Sequence, residues 1–245
     1  VNTDIAGRPY QVRAIKAVGD AFDRKQREAL LVMATGSGKT RTTIALVDLL
    51  QKANWVKRVL FLADRTALVR QAANAFKEHL PGSTTVNLVT EKYTEGRVFV
   101  STYPTMMGLI DDAFDGQRRF GVGHFDLIII DECHRSAWGK WSEVLKRNAG
   151  AIHIGLTATP RKLQESSRAT AEDQEITANN HQYFGEPVYE YTLIQAQEDG
   201  YLAACEIVKR KADNDKRIFT KKEILAARAI NIRTGKPLTE ADLTK

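Results

Sequence analysis

The chain has 245 residues, 43% hydrophobic and 27% charged, which is enough apolar material for one substantial core and too much for a disordered protein. Net charge is +6, but residues 206–245 hold eleven Lys+Arg against six acids, so residues 1–205 are nearly neutral and bulk charge gives no warrant for nucleic-acid binding. No apolar run approaches the roughly 20 residues of a membrane span, Val1-Asn-Thr-Asp4 lacks a secretion-signal pattern, and Cys133 and Cys205 have neither disulfide nor zinc spacing, so a reduced, cytoplasmic protein without a membrane is expected.

In chain order, Tyr10 to Arg24 places Ala14, Val18, Ala21 and Phe22 on one helical stripe, and the charged turn Lys25 to Glu28 leads into an apolar strand, Ala29 to Val32. Helix-like segments follow at 39–53, 65–79, 103–112 and about 136–147. They alternate with strand-like runs at 58–63, 97–101, 126–130 and 152–156. Near-continuous apolar strands alternating with helices predict an α/β fold, a mostly parallel sheet with helices on both faces. Arg161 to Asn180 reads as a polar loop. A short helix ends near Gly200, and the basic tail carries one more predicted helix, Lys221 to Ile232. The expected organisation is a main domain over 1–205 and a basic linker over 206–245.

Two motifs carry chemistry. Met33-Ala-Thr-Gly-Ser-Gly-Lys-Thr40 is a glycine-rich turn between strand and helix, so the backbone N–H groups of Thr35, Gly36, Ser37 and Gly38 can wrap phosphate oxygens at a helix N-terminus. Lys39 then reaches the β/γ-phosphates of ATP and Thr40 holds Mg²⁺. Met33 stands where the broad phosphate-loop pattern has Gly. Leu127-Ile-Ile-Ile-Asp-Glu-Cys-His134 is a buried strand ending in paired carboxylates, with Asp131 suited to the metal and Glu132 to the attacking water.

The motif series resembles superfamily-two DEAD/DEAH-like helicases, and among them the motor (R) subunit of type I restriction enzymes. It runs Arg8-Pro-Tyr-Gln11, the phosphate loop, Val59-Leu-Phe-Leu-Ala-Asp-Arg65, Val100-Ser-Thr-Tyr103, Asp131-Glu-Cys-His-Arg-Ser136 and Gly155-Leu-Thr-Ala-Thr-Pro160. Tyr183-Phe-Gly-Glu-Pro-Val-Tyr189 and Asp199-Gly-Tyr-Leu202 narrow it to the restriction subunits. The resemblance implies a RecA-like P-loop domain that hydrolyses ATP to translocate double-stranded DNA, working with modification and specificity subunits. It further implies that Gln11 reads adenine and that His134 links the hydrolysis site to the DNA side through Thr157 or Thr159. Arg65, Ser101, Thr102 and Tyr103 would touch the sugar-phosphate backbone. Tyr10 and Trp141 are read as core.

The chain stops before the second RecA-like lobe of such motors, so it is expected to be one lobe of a larger subunit. Rival readings are another superfamily-two DNA or RNA helicase, a repair ATPase, or a nucleotide-binding regulatory module without turnover. Glu132 argues against the last, because a pure binder needs no carboxylate to orient water.

Overall fold

The computed structural model describes residues 1–92, 95–110, 112–114, 117–133, 138–158, 183–203, 220–227, 229–230 and 237–239. Chain proximity divides it into two units, Val1–Ala203 and Ala204–Lys245. The first contains α1 (Pro9–Asp23), β1 (Glu28–Met33), α2 (Lys39–Lys52), β2 (Val59–Ala63), α3 (Thr66–His79), β3 (Thr85–Asn87), β4 (Val98–Thr102) and α4 (Tyr103–Leu109). There follow β5 (Ala113–Phe114), β6 (Gln117–Arg118), β7 (Leu127–Ile130), α5 (Trp138–Arg147), β8 (Ile152–Thr157), β9 (Tyr189–Tyr191) and α6 (Leu193–Glu198).

Seven strands form one sheet in the order β3-β4-β2-β7-β8-β1-β9, every neighbouring pair parallel. Because side chains alternate across a strand, the apolar runs serve two cores. Leu31, Met33, Phe61, Val100, Ile129 and Ile154 face one way, onto Tyr10, Ile15, Ile44, Leu46 and Phe76 of α1, α2 and α3. Leu30, Val32, Leu60, Phe99, Ile128 and Ile130 face the other, onto Met106 and Leu145 of α4 and α5 and onto Phe184. Burial on both faces is why these strands read as continuous apolar runs rather than alternating ones.

Register aligns the strand ends: Ala63 lies beside Thr102, Leu62 beside Ile130, Val32 beside Thr157 and Met33 beside Tyr191. Ala34, Asp64, Tyr103 and Asp131 therefore all emerge at the carboxyl edge, where open α/β sheets bind ligands.

Three features were not expected from the sequence: β3, the two-residue hairpin β5–β6, and the edge strand β9. In the second unit the helix α7 covers Lys221–Ala226, stopping short of the expected Ile232. Ile230 instead pairs with Pro237 in an antiparallel bridge, and Leu238 N–H donates to the Ala229 carbonyl at 2.7 Å, which takes that backbone out of helical bonding. Among the described residues no helix is long and apolar enough to cross a membrane.

Candidate nucleotide site

The phosphate loop leaves the carboxyl end of β1 and turns into α2 through two left-handed glycines, Gly36 at φ 82° and Gly38 at φ 87°. Both positions are also crowded. A Cβ on Gly38 would lie 2.7 Å from Gln11 Nε2, and one on Gly36 would lie 3.1 Å from Leu202 Cδ2. Only glycine satisfies conformation and space together. Ser37 is buried and closes the turn on itself, its Oγ donating to the Ala34 carbonyl at 2.7 Å. Thr35 and Gly36 are exposed, while Gly38, Lys39 and Thr40 are half-buried.

Lys39 Nζ donates to the Met33 carbonyl at 3.2 Å and lies 3.7 Å from Glu132 Oε1. The two motifs, ninety-odd positions apart in sequence, thus meet at one ion pair. Asp131 Oδ1 accepts from the Glu132 N–H at 3.1 Å, and Glu132 itself adopts φ 52°, an uncommon left-handed conformation for a side-chain-bearing residue. Burial, reinforced by the Glu132 charge and only partly offset by Lys39, pushes the Asp131 carboxyl up to about 6. Cys133 is a buried thiol whose ionisation burial suppresses.

The remaining sequence candidates divide sharply. Arg65 occupies the N-cap position of α3 without a side-chain capping bond, and its exposed side chain lies 3.5 Å from Asp64. Ser101, Thr102 and Tyr103 are all buried. Ser101 Oγ donates to the Thr102 carbonyl and Thr102 Oγ1 caps α4 by accepting from the Thr105 N–H, because α4 starts directly at the end of β4. Thr157 is buried at the end of β8. His134 and Thr159 lie outside the described residues.

Gln11 faces the loop rather than an open pocket. Its Nε2 donates to the Ser37 and Gly38 carbonyls at 3.4 Å each, and its Oε1 accepts from the Arg8 N–H at 3.2 Å. Tyr10 is fully buried; Arg8 Nη1 donates to its hydroxyl, which in turn donates to the Ser37 carbonyl. Three residues missed as site builders complete this support. Tyr191 stacks on Tyr10, Tyr201 meets Tyr10 edge-on while Arg8 lies over its ring, and Leu202 covers Gly36. Ala34 N–H also donates to the Tyr191 carbonyl at 2.9 Å. Asp64 was missed as well: its charge adds to the rise at Asp131, and its Oδ1 is buried without a hydrogen-bond partner.

The family model described as "Type III restriction enzyme, res subunit" matches residues 4–162. The chain belongs to the restriction-enzyme res-subunit family. Within it, the endonuclease subunit of the type I restriction enzyme EcoAI of Escherichia coli is 37% identical over 215 residues, 85% of this chain and 24% of that relative. The chain thus spans about a quarter of that curated relative. Among solved structures, the HsdR-subunit fragment of a type I restriction enzyme from Vibrio vulnificus YJ016 is 30% identical with a TM-score of 0.57, covering 79% of this chain and 32% of that one. The Hef helicase domain of Pyrococcus furiosus is 25% identical with a TM-score of 0.51, covering 74% of this chain and 38% of that one. The seven-stranded parallel sheet is accordingly a RecA-like, helicase-like domain of the restriction-subunit type.

The donor set is hard and oxygen-based, with the Thr40 hydroxyl and the Asp131 carboxylate at one edge. Among the described residues no group of three or more His, Cys, Asp or Glu could hold a metal ion by itself. That chemistry fits Mg²⁺, which is commonly held by one or two protein ligands together with substrate phosphates.

Proposed function

We propose that this chain is the ATP-binding and ATP-hydrolysing lobe of a motor that translocates double-stranded DNA within a type I restriction endonuclease R subunit. The observation that carries the reading is the 3.7 Å approach of Lys39 to Glu132, which joins a phosphate-binding loop to a carboxylate suited to water. In this reading the N–H groups of Thr35 to Gly38 cradle phosphate oxygens and Lys39 swings from Glu132 to the β/γ-phosphates. Thr40 and Asp131 would hold Mg²⁺, which neutralises charge developing on the transferred phosphoryl group. Glu132, released from Lys39, orients the attacking water.

Arg65 is the exposed candidate for a sequence-blind contact to the DNA backbone, which suits a motor that must move along its track. Residues 206–245 are read as the basic connection onward, and the partners would be the modification and specificity subunits. The decisive experiment is a titration of the chain with a fluorescent ATP analogue, with and without Mg²⁺. Metal-dependent binding that Lys39→Ala abolishes supports the site. Binding indifferent to both metal and Lys39 rules it out.

A further inference from the structure

We propose that the opposite edge of the sheet is a second nucleic-acid contact, holding one backbone phosphate of an unpaired strand in a basic cavity and stacking the adjoining base on Trp55. Lys57 and Arg58 stand immediately before β2, Arg97 immediately before β4 and Asp126 immediately before β7. Because these strands are parallel, all four gather at the amino edge, away from the phosphate loop. There they line a cavity of about 410 Å³ together with Asn54 and His124.

The charge in this cavity lacks an internal purpose. Lys57, Arg58 and Arg97 are exposed, and none forms an ion pair among the described residues. The single carboxylate, Asp126, is committed to backbone, its Oδ2 accepting from the Lys57 and Arg58 N–H groups at 2.9 and 2.8 Å. It fixes the turn that carries the two cations, leaving three positive charges against one negative.

One buried polar atom of the cavity wall, His124 Nε2, lacks a hydrogen-bond partner. An unsatisfied buried group is uncommon enough to require a cause, and in the tautomer protonated at Nε2 the His124 ring is a donor that a phosphate oxygen can accept from.

Trp55 turns a phosphate cavity into a strand site. It lies in the same turn as Asn54 and Lys57, both cavity-lining, and is 54% exposed, far more than a tryptophan kept for packing. An exposed aromatic two residues from a cavity cation is the kind of pairing by which proteins hold unpaired strands, the base stacking while cations take the backbone.

The test is fluorescence anisotropy of a labelled oligothymidine of about 12 nucleotides titrated with the whole chain, a non-hydrolysable ATP analogue being present to occupy the phosphate loop. Arg58→Ala combined with Arg97→Ala should weaken binding at least tenfold and flatten its salt dependence. Trp55→Ala should weaken it roughly 5- to 150-fold, the range expected for loss of one stacked base. Circular dichroism and urea midpoints of these exposed-site variants confirm that each is folded. Unchanged affinity in the folded cation variant overturns the proposal. Loss in the cation variant without loss in Trp55→Ala, with inorganic phosphate competing equally well, overturns the strand and leaves a simple anion site. Duplex bound as tightly as single strand, and independently of Trp55, overturns it too.

Discussion

The rings of Tyr10 and Tyr191 lie 4.0 Å apart and 11° from parallel, so a helix at the start of the chain and the last strand of the sheet share one stack. Tyr10 passes that support on to the phosphate loop, because its hydroxyl donates to the Ser37 carbonyl. Tyr191 is fixed in turn by donating to Asp199 Oδ2 at 2.8 Å, two residues before Tyr201 and three before Leu202. Tyr191 and the Asp199-Gly-Tyr-Leu202 stretch therefore serve as a brace behind the loop.

Tyr10→Phe keeps the stack and removes only the hydroxyl, leaving the buried Ser37 carbonyl with the long Gln11 contact and Arg8 without its acceptor. The expected loss is about 1–2 kcal/mol in urea unfolding, with nucleotide affinity falling severalfold as the loop loosens. Lost stability with unchanged nucleotide affinity would show that the hydroxyl supports packing alone.

Gly155 lies on β8 where a Cβ would come within 2.9 Å of Phe184 Cε2 and 3.1 Å of Leu30 Cδ1. Gly155→Ala should destabilise the chain by about 1–3 kcal/mol through overpacking. Phe184→Leu in the same chain should recover part of that loss. Equal destabilisation of the single and double variants would place the cost in the strand backbone instead of this contact.

This glycine also illustrates what sequence could and could not yield. The central strands and helices were legible because each carries a sustained apolar pattern, and the phosphate loop and Asp131-Glu132 because their chemistry is compressed into a few residues. β3 and β9 were not, since three residues such as Tyr189–Tyr191 show no period and become a strand only by pairing with a distant neighbour. The same holds for the brace: nothing local to Tyr10 announces a partner 181 positions away. Ser101 was legible as the end of a strand and Thr102 was not, and the hydroxyl contacts of both depend on α4 beginning at once.

Acid titration separates two buried groups of opposite sign. The Asp131 carboxyl, pushed up from 3.8 to about 6, keeps a proton that the unfolded chain releases, so its contribution to stability falls as pH rises from about 4 to 6. Burial pushes His153 down from 6.5 to about 4. With Nε2 donating to the Asn148 carbonyl, Nδ1 accepts from the Tyr183 hydroxyl, and the ring stays neutral where the unfolded chain protonates. Its contribution therefore rises over about pH 4 to 6.5. Each effect is on the order of 3 kcal/mol, so they nearly cancel in the parent chain. Asp131→Asn should uncover the histidine, gaining about 3 kcal/mol between pH 4 and 6.5 in urea unfolding. A parent curve as steep as the variant's would reject the opposition.

The ion pair between Lys39 and Glu132 at the proposed nucleotide site separates binding from turnover. Lys39→Ala removes the Nζ that bonds the Met33 carbonyl and approaches Glu132, yet it takes nothing from either apolar core. The fold should therefore persist by circular dichroism while ATP·Mg²⁺ binding is lost. Glu132→Gln should separate binding from turnover. Glutamine bears the same φ 52° backbone penalty as glutamate, keeps the side chain's shape and leaves Asp131 in place, so affinity should survive. What it loses is the carboxylate that orients water, and the phosphate-release rate of the complete subunit on duplex DNA should drop by about 10² or more. Wild-type turnover in Glu132→Gln would remove this residue from the mechanism while leaving the loop's role intact. Unchanged nucleotide affinity in a folded Lys39→Ala would remove the loop itself.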